Sequence, residues 1–165
     1  GWSARFWPRW AAAPMTEVAL EIEHVVGLGA SVVPHAIDTK PDNRIMALYG
    51  VGTTVVLGSI SDPHDQKLLP GHTATVSAVK WSPLGDLFAT GQLADGMAYA
   101  CTTVWQESEE APGEYHRVFT LRAAAGVACL QFSPDAEFLA VSLLDGSLAV
   151  YDMGNGHIVD RKSVV

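Results

Sequence analysis

The chain has 165 residues, 48% of them hydrophobic and 17% charged, with a formal charge of −8 and a pI near 5.0. That composition forms a core, which excludes a disordered chain. The acidic balance argues against binding to nucleic-acid phosphates or anionic membrane surfaces, and no apolar run approaches the ~20 residues that span a bilayer.

Residues 1–14 differ from the rest. They hold Trp2, Trp7 and Trp10 with Arg5 and Arg9, lack the continuous apolar segment of a secretory signal, and are followed at once by Met15. This stretch reads as a leader or non-native extension outside the fold; a partner-binding arm of exposed Trp and Arg is the rival reading. Residues 15–165 read as one domain built from three units, about 25–70, 71–121 and 122–165.

The first unit covers Val25–Ser61, with a polar turn at Asp42-Asn43 and with Lys67–Pro70 as its outer strand or a connector. The second opens on Gly71-His72. A strand over Val76–Trp81 is expected to place Ser77, Val79 and Trp81 on one face and Ala78 and Lys80 on the other. Ser82-Pro83 stops the ladder, Leu87–Thr90 is a second strand, and a long hairpin leads to Trp105 and then to the strand "HRVFTLR". In the third unit Ala128, Leu130 and Phe132 are expected on one face, with Cys129 and Gln131 opposite. Strands follow at Phe138–Val141 and Leu148–Tyr151 around an Asp145-Gly146 hairpin turn, and "HIVDRKSVV" supplies the last.

The units repeat. A shift of 51 positions lays Val76 on Val127, Val79 on Leu130, Trp81 on Phe132 and Ser82-Pro83 on Ser133-Pro134. A shift of 41 positions the other way lays Gly91 on Gly50. Four short strands per unit, Gly-His at the start and an aromatic near the end (Trp105-Gln106, Tyr151-Asp152) resemble the β-propeller blade of the tryptophan–aspartate (WD) repeat type. The expected fold is therefore all-β: a partial propeller of about three four-stranded antiparallel blades, a fragment of a larger ring.

In this repeat type a His, a Ser or Thr, an Asp and a Trp often tie a blade together by buried hydrogen bonds. The resemblance implies a partial set here: His72, Thr90 and Trp105 in the middle unit, Ser142, Asp145 and Tyr151 in the last. The middle unit lacks a clear Asp, so His72 is expected to find a backbone acceptor or water. The "FATGQ" strand ending, the long hairpin after it and the phrasing of the first unit resemble the cilia- and flagella-associated WD-repeat proteins related to the echinoderm microtubule-associated-protein-like family. That resemblance implies a structural component inside axonemal doublet microtubules, with tubulin and other axonemal proteins as partners, in the cytoplasm and its cilium or flagellum. A generic cytosolic scaffold or a cytoplasmic microtubule-associated protein is the alternative.

Chemistry-bearing motifs are sparse. Gly27–Ser31 lacks a full nucleotide fingerprint, His24, His35, His64 and His72 lack ligand spacing, and Cys101 and Cys129 lack metal spacing. No catalytic residue, cofactor site or metal site is assigned. A propeller enzyme or small-ligand binder would need convergent His, Asp, Glu or Arg side chains at the channel mouth. Gln106–Arg117, with its four Glu, reads as a solvated loop between blades, the alternative being an acidic contact for a basic partner. Three blades leave two apolar sheet faces uncovered, so the 165-residue chain should be poorly soluble or self-associated on size-exclusion chromatography; a monodisperse monomer that melts cooperatively would contradict this.

Overall fold

Every regular element is a β-strand among the residues that the computed structural model describes, namely 37–42, 46–94, 96 and 99–162. The expectations for residues 1–14, Gly27–Ser31, His24, His35, Asn43 and the start of the first unit lie outside the described residues.

Among the described residues twelve strands form three four-stranded antiparallel sheets, each a meander in sequence order. The first holds β1 (Ile37–Thr39), β2 (Met46–Val51), β3 (Thr54–Ser59) and β4 (Gln66–Pro70). β4 pairs with β3, so Lys67–Pro70 is an outer strand and not a connector. The second holds β5 (Val76–Trp81), β6 (Leu87–Gln92), β7 (Cys101–Glu107) and β8 (Tyr115–Arg122). The third holds β9 (Val127–Phe132), β10 (Phe138–Leu143), β11 (Leu148–Asp152) and β12 (Ile158–Lys162). The Ser-Pro turns end β5 and β9 alike. Ser82 N–H donates to Leu87 O at 2.9 Å, and Ser133 N–H donates to Phe138 O at 2.9 Å. Gly85 takes the left-handed conformation such a turn needs (φ 78°), and Ala136 occupies the equivalent position at φ 61°, where a Cβ costs roughly 1–2 kcal/mol.

The sheets stack through their inner strands: β5 packs on β1 and β2, and β9 on β5 and β6. Toward the first sheet the second presents Val76, Val79, Trp81, Phe88 and Trp105, which meet Leu48, Val55, Leu57 and Leu69. Toward the third it presents Ala78, Ala89, Val104 and Leu121, which meet Val127, Leu130, Phe132, Leu139 and Tyr151. The inner strands of the second and third sheets thus turn an aromatic-bearing side to the preceding sheet. Their other side is aliphatic and small. Phe88 is fully buried, and burial of such a ring is worth about 2–3 kcal/mol. The equivalent small side of the third sheet, with Cys129, Ala140, Ser142 and Val150, is only half-buried, whereas Ala78, Ala89 and Val104 are fully enclosed.

The expected grouping of Ser77 with Val79 and Trp81 is corrected by a β-bulge. Val76 pairs with Gln92 and Ala78 with Gly91, which leaves Ser77 as the extra residue. Val76 therefore joins Val79 and Trp81 on the aromatic side, a grouping i, i+3, i+5 that a regular strand forbids. Ser77 turns the other way, and its Oγ donates to Val127 O at 2.6 Å in the next sheet. The third sheet repeats the device: Cys129 pairs with Ser142 and Val127 with Leu143, so Val127, not Ala128, packs beside Leu130 and Phe132.

The bulge aims each valine at a glycine. A Cβ on Gly50 would lie 2.7 Å from Val76 Cγ1, and a Cβ on Gly91 would come closer still to Val127 Cγ1. Gly91→Ala should therefore destabilise the protein by about 1–3 kcal/mol in urea unfolding, and Val127→Ala in the same chain should recover part of that loss. Additive costs for the two substitutions would exclude the contact.

Candidate functional site

The middle sheet carries a buried polar chain inside this apolar stack. His72 enters on the segment between β4 and β5, after Gly71, whose φ of 143° suits glycine. A Cβ on Gly71 would lie 2.6 Å from Arg117 Nη2, and the Arg117 guanidinium lies 5.5 Å from the Trp105 ring centre. The His72 ring is thus delivered under a cation and against β6.

Its partners fix its protonation. His72 Nδ1 is 2.8 Å from Gln92 Oε1, a carbonyl oxygen that can only accept, so Nδ1 carries the proton. Nε2 then accepts from Thr90 Oγ1 at 2.7 Å, and Thr90 Oγ1 in turn accepts from Trp105 Nε1 at 2.8 Å. Gln92 Nε2 completes the chain by donating to Thr73 Oγ1 at 3.0 Å and Tyr99 O at 2.8 Å. His72, Thr90, Gln92 and Trp105 are all buried. Burial holds the imidazole below its ordinary value; the Gln92 bond opposes that shift and the Arg117 charge adds to it.

The structure brings His72, Thr90 and Trp105 together and leaves Ser142, Asp145 and Tyr151 apart. Tyr151 pairs across the ladder with Leu139, as Trp105 pairs with Phe88, so it occupies the Trp105 place. The residue that corresponds to Thr90 is Val141, which packs in the core beside Tyr151. Ser142 pairs with Cys129 on the other side of β10. Asp145 accepts from Ser147 N–H at 2.9 Å and Ser147 Oγ at 2.7 Å, closing its own turn. Gln92 is the member that sequence reasoning missed. It ends β6, and its long amide reaches His72 where a shorter Asp would have to come from the hairpin.

A second polar group joins the first two sheets. Asp38 on β1 accepts from Trp81 N–H at 2.9 Å and lies 3.1 Å from Lys80 Nζ. Lys40 Nζ reaches Glu107 at 3.2 Å and sits 5.5 Å from the Trp81 ring centre. Lys67 on β4 bonds Glu114 and donates to Gly113 O at 2.7 Å. The Gln106–Arg117 stretch is therefore corrected: it forms the β7–β8 hairpin within the second sheet, and Glu107 and Glu114 anchor it to the first. The Gly113 N–H, followed by Lys40 and Tyr115, holds the Glu107 carboxyl below its ordinary range against the effect of burial. Tyr115 is pushed up by burial and by the Glu107 charge, so its hydroxyl stays a donor, 3.3 Å from Glu107. Among the described residues no group of three His, Cys, Asp or Glu side chains could hold a metal ion.

Residues 79–164 match the family model described as the anaphase-promoting complex subunit 4 WD40 domain. The chain is 30% identical over 143 residues to cilia- and flagella-associated protein 52 of Chlamydomonas reinhardtii, covering 85% of this chain and 22% of the relative. It is 31% identical over 145 residues to the Mus musculus protein of the same name, with the same coverages. Pre-mRNA-processing factor 19 of Oryza sativa subsp. japonica is 29% identical over 124 residues, 73% of this chain and 22% of that protein. The chain thus spans about a fifth of the length of these curated relatives.

Two measurements check the buried chain. Thr90→Val leaves Trp105 Nε1 and His72 Nε2 without partners and should cost about 2–4 kcal/mol in urea unfolding. The pH dependence follows from the lowered His72 value. The unfolded chain takes up this proton near 6.5 and the folded chain only at lower pH. The stabilisation is therefore complete above that value and is lost as pH falls from about 6.5 toward the folded value. A His72→Gln variant should be less stable at pH 7 yet shed this component of the decline between pH 7 and 5; an unchanged slope would show that His72 does not supply it.

Proposed function

The chain belongs to the WD40-domain family, and from that membership we propose that it is a non-catalytic scaffold of cilia and flagella, a structural component of axonemal doublet microtubules. The observation that carries this reading is the alignment with cilia- and flagella-associated protein 52 of an alga and of mouse across 85% of the chain. The physical character of the sheets agrees with it. Their polar groups serve internal joints: buried His72 is neutral and closed into a chain, and Glu107 and Glu114 are tied to lysines. A scaffold needs rigid surfaces at fixed spacing, and stacked sheets supply them.

Tubulin and neighbouring axonemal proteins are the proposed partners. A charge of −8 means that contact with an acidic filament surface rests on shape, apolar area and local cations such as Arg161 and Lys162, not on net attraction. The second reading is a subunit of another WD-repeat assembly, favoured by the match to pre-mRNA-processing factor 19 over 73% of the chain. Fluorescent tagging of the gene in a flagellated cell separates the two. Signal along the axoneme that survives detergent extraction is the expected result; even cytoplasmic or nuclear signal would overturn the ciliary assignment.

A further inference from the structure

The junction between the first two sheets contains a groove beside the Lys67–Gly113 joint. It has a volume of about 350 Å³ and lies between β2–β4 and the β7–β8 hairpin. Its apolar lining comes from Met46, Leu57 and Tyr115, and its polar lining from Asp65, Gln66, Lys67 and the backbone of Gly113. Leu57 is buried, Met46 and Tyr115 are half-buried and Asp65 is exposed, so the apolar groups form the floor and the carboxylate stands at the rim.

The surroundings are negative. The turn before β4 contributes Asp62 and Asp65, and the β7–β8 turn contributes Glu109 and Glu110, all exposed. The nearby cations are already engaged, Lys67 by Glu114 and Lys40 by Glu107. An apolar floor beneath exposed carboxylates suits a side chain with a long hydrocarbon stem and a cationic tip. It repels nucleic acid, and a second copy of a chain with charge −8 fares no better.

We propose that this groove is the docking site for a basic segment of a protein partner. The segment lays the stem of an arginine or lysine on Met46, Leu57 and Tyr115 and leaves the cation beside Asp65. Binding is then steered by the acidic turns and fixed in register by the groove.

The test uses the 165-residue chain fused to a solubilising carrier protein, with the carrier alone as blank, and a fluorescein-labelled peptide of alternating Gly, Arg and Lys, followed by anisotropy at physiological salt. The basic peptide should bind, and replacing its arginines with citrulline and its lysines with norleucine should abolish binding. Asp65→Lys should weaken binding by about 10-fold or more, while Glu137→Lys, on an exposed turn of the third sheet, should change it by less than about 2-fold. Circular dichroism checks that each variant folds, and Asp62→Lys replaces Asp65→Lys if that variant does not. Absence of peptide binding would overturn the proposal. So would equal weakening by the Asp65 and Glu137 variants, which would mean diffuse attraction to an acidic chain. Neither result bears on the localisation of the protein, so this test stands apart from the ciliary assignment.

Discussion

The structure depends on one close approach, made twice. A valine at the start of each bulged inner strand sits where the preceding sheet has a glycine in place of a side chain: Val76 against Gly50, Val127 against Gly91. The contact sets the spacing of the sheets, and the spacing lets Trp81, Phe88 and Trp105 reach the leucines of the first sheet. It also brings Ser77 Oγ to Val127 O, so the residue extruded by the bulge satisfies a carbonyl of the next sheet. Packing density in such an interior leaves no slack for an added methyl. A small residue in the sequence is thus a statement about its neighbour.

The same approach explains how the polar groups are kept dry. Phe88 stacks on Trp105 with ring centres 5.9 Å apart, and Trp81 meets Phe88 edge-on at 4.9 Å. Behind these rings the Trp105–Thr90–His72–Gln92 chain has every donor matched to an acceptor, with a neutral imidazole. A protonated His72 would present Nε2–H to Thr90 Oγ1 and push the threonine proton toward Thr103 O, a longer bond at 3.4 Å. The neutral tautomer is the better fit to its partners as well as to its burial.

Much of this was legible in the sequence, and the failures have physical causes. The repeat of Trp81 with Phe132 and of the two Ser-Pro turns was enough to give the second and third antiparallel meanders, and the shift that lays Gly91 on Gly50 pointed to the first. The strict two-residue alternation of a strand misplaced Ser77 and Ala128, because one extra residue reverses every side chain before it. The signal was present in the i, i+3 spacing of Val76 with Val79 and of Val127 with Leu130. Gln92 went unrecognised because a glutamine at a strand end looks like a polar terminus, and only tertiary placement shows that its amide spans to His72. The ion pairs of Glu107 and Glu114 went unrecognised for a similar reason: their lysines, Lys40 and Lys67, lie in the first unit, far away in the chain. Ser142 and Asp145 were drawn to Tyr151 by residue type, while the Thr90 position is filled by Val141, so the third sheet relies on apolar packing where the second uses hydrogen bonds.

The opposite characters of the two sides of the second and third sheets give the stack a direction. The side that receives a predecessor carries the bulky rings; the side that receives a successor is shallow, with Ala78, Ala89 and Gly91 in one sheet and Cys129, Ala140 and Ser142 in the next. Such a unit is complementary to a copy of itself placed head to tail, as in other heterologous contacts. Gene duplication in tandem therefore lengthens the array without inventing a new interface, and the chain can be cut and rejoined between units without changing the order in which they meet. Reversal is what the architecture forbids, since two ring-bearing sides cannot occupy the same gap.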